Sequence, residues 1–325
     1  MDKKRILITG ISGFIGRNVA RALLSGDHQL TGIVRPGTDS ARIEEFTQKV
    51  EFIEVDLAET TALREQLAPR EFDIILHMGA LRGGRKFDTE AYYKTNVLAT
   101  EELLKLAQEW NSSFIFCSSV GVFGAIPRDV PATNSTPKQA DTFYHQTKIE
   151  AEALVQAYVK EGLMAVIVRP AITYGMGDYG FPYTLVKMID KKIFLLPAKP
   201  VTIHLTHIDI LSLVFKRLCE SSFEPGKTYI VADKSPVKLL DLVNFISQQL
   251  HGVDYSPYKV VPSFFFDMGI WMAKLIKSDL WKSRFELISK SWYYHTDEVY
   301  REFKIAPVET IPAFQIVTDW YKEIN

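Results

Sequence analysis

From its amino terminus the chain alternates short apolar runs with stretches where apolar residues recur every three to four positions. Arg5–Thr9 is an apolar run that stops at a glycine, the pattern of a buried strand, and 14–24 carries helical spacing. Further strands are expected at Gln29–Val34, 50–55, 73–77, 113–118 and 165–168. The intervening helices are expected at Thr60–Leu67, 90–110 and 142–160. Repeated strand–helix–strand units of this kind imply a parallel sheet covered on both faces, an α/β doubly wound fold. After Arg169-Pro170 the rhythm changes. Turn signals gather at Gly175, Gly177, Gly180 and Pro182, and Pro197 and Pro200 interrupt the chain again. Ile208–Glu220 then reads as a helix, Thr228–Val231 as a strand and 239–250 as a helix, and an aromatic-rich, mostly helical region runs from Ser263 onward. The expected division is a first domain over 1–170 plus about 201–235, and a smaller mixed α/β lobe over 171–200 and 236–325.

Composition narrows the class. Of 325 residues 47% are hydrophobic, and 38 Lys and Arg face 39 Asp and Glu. Disorder and bulk attraction to nucleic acid are thereby excluded as main features. Cys117 and Cys219 read as buried core thiols in a reducing, cytoplasmic setting. His77, His145, His204 and His207 fit no ligand spacing, so no metal is expected. The most apolar stretch, Ser263 to Trp281, is broken by Asp267, Lys274 and Lys277, so no stable membrane insertion is expected.

Between the first strand and first helix stands Thr9-Gly10-Ile11-Ser12-Gly13-Phe14-Ile15-Gly16, with glycines at 10, 13 and 16. Glycine here permits a tight turn and lets backbone approach a pyrophosphate, which the helix N-terminus then favours. The placement points to a Rossmann-type dinucleotide site. An acidic residue usually follows the second strand to hold ribose hydroxyls, but Val34-Arg35-Pro36 has none. Arg35 would meet a 2′-phosphate, or else is a solvated strand-end residue. NADP is the preferred cofactor, with NAD as the other. Asp56 ends the third strand, where its carboxylate could accept from an adenine amino group or cap the next helix.

The fifth strand runs into Cys117-Ser118-Ser119, and Tyr144-His145-Gln146-Thr147-Lys148 follows. Tyrosine and lysine four apart share a helix face. A free tyrosine has a pKa near 10, which a nearby ammonium lowers, and a serine hydroxyl could share the same substrate oxygen. That set suits proton transfer to a carbonyl or from an alcohol while hydride moves.

In their order, Thr9–Gly16, Asp56, His77-Met78-Gly79-Ala80, Asn96, Ser118-Ser119, Tyr144 with Lys148, and Arg169-Pro170 with Tyr174-Gly175 resemble the extended short-chain dehydrogenases/reductases. This superfamily holds the NAD-dependent epimerases and dehydratases. The resemblance covers about residues 4–235 well and the rest loosely. It implies Ser119 as the catalytic serine, Tyr144 as acid/base, Lys148 as the ribose-holding lysine, and Asn96 as a supporting asparagine. By the same implication Gly10, Gly13, Phe14, Ile15, Gly16, Asp56, Leu57, Gly79, Ala80, Ser118 and Pro170 border the cofactor. Gly79 departs from the commoner alanine, and Phe123 stands for the usual tyrosine.

Two further departures bear on substrate. Ile172 stands where nucleotide-sugar enzymes often place asparagine, and the segment from Val201 to Asp209 lacks their arginine. In style the chain is closer to the dihydroflavonol-reductase and 3β-hydroxysteroid-dehydrogenase branch. The expected activity is carbonyl–alcohol interconversion on a small, fairly apolar molecule. A nucleotide-sugar epimerase or dehydratase is one rival, and a non-catalytic NADP-binding regulator another. Phe264, Phe265, Met268, Trp271, Met272, Leu275 and Ile276 are expected on one helix face, as core between lobes, as pocket lining, or as a membrane contact. The run from Leu81 to Lys86 is a cationic loop that could hold an acidic substrate group or simply be solvated. A homodimer through the helices carrying Asn96 and Tyr144 stays open beside intrachain packing of the same faces.

Overall fold

The computed structural model describes residues 3–82 and 87–325. The cationic Gly83–Lys86 stretch therefore lies outside the described residues. Along the chain, β1 (Arg5–Thr9), α1 (Phe14–Leu23), β2 (Gln29–Val34), β3 (Val50–Glu54), α2 (Thr60–Leu67) and β4 (Ile74–His77) come first. Next are α3 (Thr89–Tyr93), α4 (Ala99–Glu109), β5 (Ser113–Cys117), α5 (Phe143–Lys160) and β6 (Ala165–Pro170). They are followed by β7 (Ile172–Tyr174), α6 (Phe181–Asp190), β8 (Leu196–Pro197), β9 (Thr202–Ile203), β10 (Leu205–His207), α7 (Ile208–Glu220) and β11 (Thr228–Val231). The last are β12 (Val237–Lys238), α8 (Leu239–His251), β13 (Val260–Val261), α9 (Phe264–Leu275), α10 (Asp279–Ser289), α11 (Asp297–Phe303), α12 (Thr310–Ala313) and α13 (Gln315–Ile324).

The chain forms two compact units. The first comprises 1–122, 138–169 and 211–229. Its frame is the seven-stranded sheet in the order β11-β6-β5-β4-β1-β2-β3, with β1 through β6 joined in parallel. The order reverses between β1 and β4. Ligands of such sheets bind at that switch point, beyond the carboxyl ends of the strands. Leu7, Ile75, Phe114 and Ile167 point to one face and pack with Leu103, Ala151 and Val155 of α4 and α5. Their neighbours Ile6 and Ile8 point the other way and are equally buried, as a sheet covered on both sides requires.

The sequence pattern predicts one helix over 90–110. The structure interrupts it with a π-helical turn at Lys94–Leu98, a wider turn that recurs at functional sites. Thr100 Oγ1 donates to the carbonyl of Asn96 within it, at 2.7 Å.

The second unit comprises 123–137, 170–210 and 230–325. Residues 123–137, 201–210 and 230–235, which the sequence reading placed in the first domain, belong to this second unit. The first of these segments is anchored by the bridge between Ala132 and Tyr294 and by Phe123 stacking on Tyr294 at 6.4 Å. A buried carboxylate organises the unit's core. Asp233 accepts from Tyr174 Oη at 2.7 Å, Thr310 Oγ1 at 2.5 Å and His207 N at 2.7 Å. Burial pushes its pKa up to about 6.

The helix expected over 264–276 exists as α9, but the core expectation is corrected. Phe266, Ile270 and Ala273 are the buried residues, and Gly269 packs on Phe285 of α10. The seven apolar residues expected on one face are all exposed. Apolar residues surround this helix on nearly every side, so periodicity alone could not say which side faces in.

Candidate active site

Gly10 closes β1 with φ +74°, a conformation that disfavours a side chain. A Cβ there would stand 2.7 Å from Gly79 N and 2.8 Å from Gly79 Cα, so β1 and the chain after β4 touch backbone to backbone. A Cβ on Gly16 would overlap the carbonyl oxygen of Gly10. Gly13 is the N-cap of α1, and no side chain caps it. The first-turn N–H groups of α1, with Phe14 and Ile15 half-buried beside them, are the donors a phosphate would take. At Gly79 a Cβ would meet Leu57 Cδ1 at 2.6 Å, so an alanine there would require that side chain to shift.

Beneath this loop runs a hydrogen-bonded line. Gly79 N donates to Thr9 Oγ1 (2.9 Å), Thr9 pairs with His77 Nδ1 (2.7 Å), and His77 Nε2 pairs with Thr100 Oγ1 (2.9 Å). The ring is fully buried, and burial together with the charge of Lys148 pushes His77 down to about 3. His77 is thus a neutral structural histidine.

Asp56 is half-buried after β3, and its Oδ1 accepts from Ala58 N at 2.9 Å. The N-cap of α2 is Glu59, so Asp56 shapes a turn and does not cap the helix. Arg35 is exposed at the end of β2, and its carbonyl accepts from Thr38 in a tight turn. Two neighbours escaped the sequence reading. Glu54 Oε1 accepts from Gly37 N at 3.1 Å, bringing a carboxylate to the turn that lacks one in sequence. Arg17 follows Gly16 directly, and its buried Nε has no hydrogen-bond partner. Burial lowers the Arg17 pKa, with Arg21 and Arg42 adding to the effect. Its position next to the third glycine was the signal available.

Helix α5 carries Tyr144, Lys148 and Glu152 at intervals of four, hence on one face. Thr142 Oγ1 caps it by accepting from His145 N at 3.2 Å. Lys148 is 3% exposed. Its Nζ donates to Cys117 O at 2.9 Å and lies 4.8 Å from the Phe116 ring centroid. Burial lowers the Lys148 pKa, and Cys117 and Glu152 oppose this. Glu152 is fully buried. Arg169 grips it through Nε at 2.8 Å and Nη2 at 2.7 Å, and Lys138 Nζ lies 2.7 Å from Oε2.

Desolvation of the Tyr144 hydroxyl raises its pKa, and Cys117 adds to the rise. A hydrogen bond with Ser119 and the charge of Arg82 act the other way. The sequence expectation of a tyrosine depressed by Lys148 is therefore not met. The lysine ammonium is turned to the Cys117 carbonyl. Ser119 Oγ also accepts from Gly121 N at 3.0 Å, and the buried Ser118 Oγ has no hydrogen-bond partner.

Asn96 is 2% exposed and joins three segments. Its Oδ1 accepts from Leu81 N (2.8 Å), while its Nδ2 donates to Leu81 O (3.0 Å) and to Thr147 Oγ1 (3.0 Å). Thr147 Oγ1 donates to Tyr144 O at 2.8 Å. Asn96 thus couples the chain after β4 to the tyrosine-bearing turn of α5. His145, next to Tyr144, donates from Nδ1 to Asp141, a pair the i,i+4 spacing could have signalled. Pro170 ends β6 and is buried.

Known proteins resemble the chain in sequence and in fold. A ketoreductase of Stigmatella aurantiaca, acting on a 4-hydroxy-2-methyl-3-oxo-4-farnesyl-3,4-dihydroquinoline-1-oxide, is 30% identical over 198 residues, 58% of this chain and 56% of that protein. UDP-glucose 4-epimerase 2 of Arabidopsis thaliana is 29% identical over 162 residues, 46% of each chain. The matches span about half the length of these curated relatives. UDP-glucuronic acid 4-epimerase of Bacillus cereus, solved with NAD, superposes with a TM-score of 0.76 at 19% identity, covering 98% of this chain and 99% of that one. It shares the fold. Residues 6–196, more than half of the chain, match the sequence model of the NAD-dependent epimerase/dehydratase family, and the chain belongs to that family.

Proposed function

We propose that the protein is an NAD(P)-dependent oxidoreductase that interconverts a carbonyl and an alcohol on a small, fairly apolar molecule. The observation that carries this reading is the grouping of Tyr144, Ser119 and Lys148 beyond the carboxyl end of β5, with the lysine buried. Side-chain-free glycines at 10 and 16, an uncapped α1 terminus and an unpartnered Ser118 hydroxyl fit a dinucleotide beside them. When bound, the nicotinamide would supply or accept hydride. Gly10, Gly13, Phe14, Ile15 and Gly16 would hold the pyrophosphate, and Asp56 would take the adenine amino group. Leu57, Gly79, Ala80 and Pro170 would border the cofactor.

In the reductive direction Tyr144 Oη gives its proton to the carbonyl oxygen, and Ser119 Oγ hydrogen-bonds the same oxygen. Lys148 would hold the ribose of a bound cofactor, and its charge would steady the phenolate left behind. Asn96 does not touch the reacting atoms and acts as a positioning residue. NADP is the preferred form. Among the described residues Arg35 is exposed and without an ion pair, and Arg17 presents an unpartnered Nε near Arg42, whereas Glu54 is already engaged with Gly37 N. The second unit supplies the substrate-binding part.

Ile172 and the arginine-free segment 201–209 support an apolar ketone over a nucleotide sugar. The test is a panel of apolar ketones and nucleotide sugars, followed by NADPH absorbance and product analysis. Stoichiometric NADPH consumption with an apolar ketone is expected. Conversion of a nucleotide sugar without net cofactor turnover would overturn the reading in favour of an epimerase.

A further inference from the structure

Helix α9 is apolar almost all round yet sits at the surface. Its inner side is Phe266, Ile270 and Ala273. Its outer side presents Phe264, Met268, Trp271, Met272, Leu275 and Ile276, of which Trp271, Leu275 and Ile276 are 60%, 62% and 69% exposed. On α10, Leu280 and Trp281 continue the surface, 41% and 49% exposed. A helix apolar on every side belongs in a core or a bilayer, and contiguous exposed apolar patches mark interaction sites.

Charge says what covers this one. Between 259 and 290 six Lys and Arg (259, 274, 277, 282, 284, 290) stand against three Asp and Glu (267, 279, 286), an excess of three positive charges in a chain whose net charge is −1. Lys274 and Lys277 are exposed and Lys282 is half-buried at the rim, and none of the three is held in an ion pair among the described residues. Arg284 lies over the Trp281 ring, 5.1 Å from its centroid. Tryptophan beside free lysines at the edge of an apolar face is the arrangement that settles at the boundary of headgroups and acyl chains. A second copy fits poorly. A two-fold contact sets the same patch against itself and would face the cationic rims to each other.

We infer that the α9–α10 hairpin docks the protein peripherally on a bilayer carrying anionic lipid, the apolar face seated among the acyl chains and the lysines among the headgroups. This goes beyond the proposed chemistry and does not depend on it.

Flotation of the full chain with vesicles tests it, using phosphatidylcholine alone and a 7:3 mixture with phosphatidylserine. Binding to the anionic vesicles is expected, with a blue-shifted tryptophan emission. Each exposed lysine near the surface contributes enough that Lys274→Glu with Lys277→Glu should weaken partitioning by ~10-fold or more. Leu275→Gln with Ile276→Gln should weaken it by at least ~10-fold, since both side chains would lose burial. All four positions are exposed, and unchanged circular dichroism would confirm that folding is intact. Failure of the wild type to bind anionic vesicles, or binding that survives both double variants, overturns the inference. So does a dimer in sedimentation equilibrium that the Leu275→Gln, Ile276→Gln pair dissociates while vesicle binding is absent.

Discussion

His77→Phe tests whether the buried line beneath the glycine loop holds the first unit together. Thr9 Oγ1 accepts from Gly79 N, so its own proton goes to His77 Nδ1. Thr100 Oγ1 gives its proton to Asn96 O, so it accepts from Nε2–H. Burial holds the ring neutral, and in that form each hydrogen of the line has an acceptor. Phenylalanine keeps the ring but deprives two buried hydroxyls of their partner. Unsatisfied groups of this kind cost ~1–3 kcal/mol each, so a loss of about 2–6 kcal/mol is expected at pH 8. The folded pKa, about 3, lies below the unfolded value near 6.5. The group's contribution is therefore fully present above pH 6.5 and is lost as pH falls toward 3. At pH 5 the unfolded chain holds the proton and the folded chain does not, which costs the wild type about 2 kcal/mol relative to pH 8. The variant lacks this titration, so its deficit against wild type should narrow by about 2 kcal/mol between pH 8 and pH 5. Hydrogen exchange of the β1 and β4 amides reports this unit alone. A deficit equal at both pH values would show that His77 does not titrate across folding and would refute the reasoning.

Tyr144→Phe removes the transferable proton and keeps the ring, so turnover should fall by ~10²–10⁴-fold while cofactor affinity, read by titration, stays near wild type. Unchanged turnover would take Tyr144 out of the mechanism. Glu152→Ala takes the paired carboxylate away from buried Arg169 and should cost ~3–5 kcal/mol in denaturant unfolding; a loss below about 1 kcal/mol would mean that water reaches the guanidinium. Arg35→Ala should erase most of a preference of at least ~10-fold for NADP over NAD, measured by titrating both cofactors, and a wild type that binds NAD as well as NADP would return Arg35 to the role of a solvated strand end.

What the sequence made legible follows from how local each constraint is. The loop from Gly10 to Gly16 could be read because a positive φ and a close backbone approach exclude side chains whatever surrounds them. Tyr144 and Lys148 could be paired because four residues close one helical turn. The His77 line could not, since Thr9 and His77 meet across 68 residues and their register depends on β1 and β4 pairing in parallel. Glu54 reached the turn after β2 for the same reason, by strand pairing and not by sequence proximity. The π turn at Lys94–Leu98 was hidden because one wider turn leaves the apolar repeat on either side almost unchanged. The exposed side of α9 was hidden for the opposite reason, as a uniformly apolar helix carries no polar stripe to mark its outside.

The electrostatics of the site bear on the protonation state from which the proposed reaction starts. Burial raises the Tyr144 pKa above its ordinary value near 10, so the hydroxyl holds its proton at neutral pH. A protonated tyrosine is an acid, the group a ketone reduction needs; alcohol oxidation would need the phenolate first. Lys148 could stabilise a phenolate, but its Nζ is committed to the Cys117 carbonyl, and burial already disfavours its charge. Cys117 opposes that loss of charge, and so does Glu152 one turn further along α5, itself held ionised by Arg169 and Lys138. The Arg169–Glu152 pair therefore acts on the chemistry at one remove. It sustains the Lys148 charge, which in turn sets how readily Tyr144 gives up its proton once the lysine is drawn toward a bound ribose. Conservative replacement by Glu152→Gln keeps the shape and removes the charge, so it should leave cofactor binding largely intact and move the pH profile of turnover. A profile identical to wild type would sever this link, leaving Glu152 a purely structural partner of Arg169.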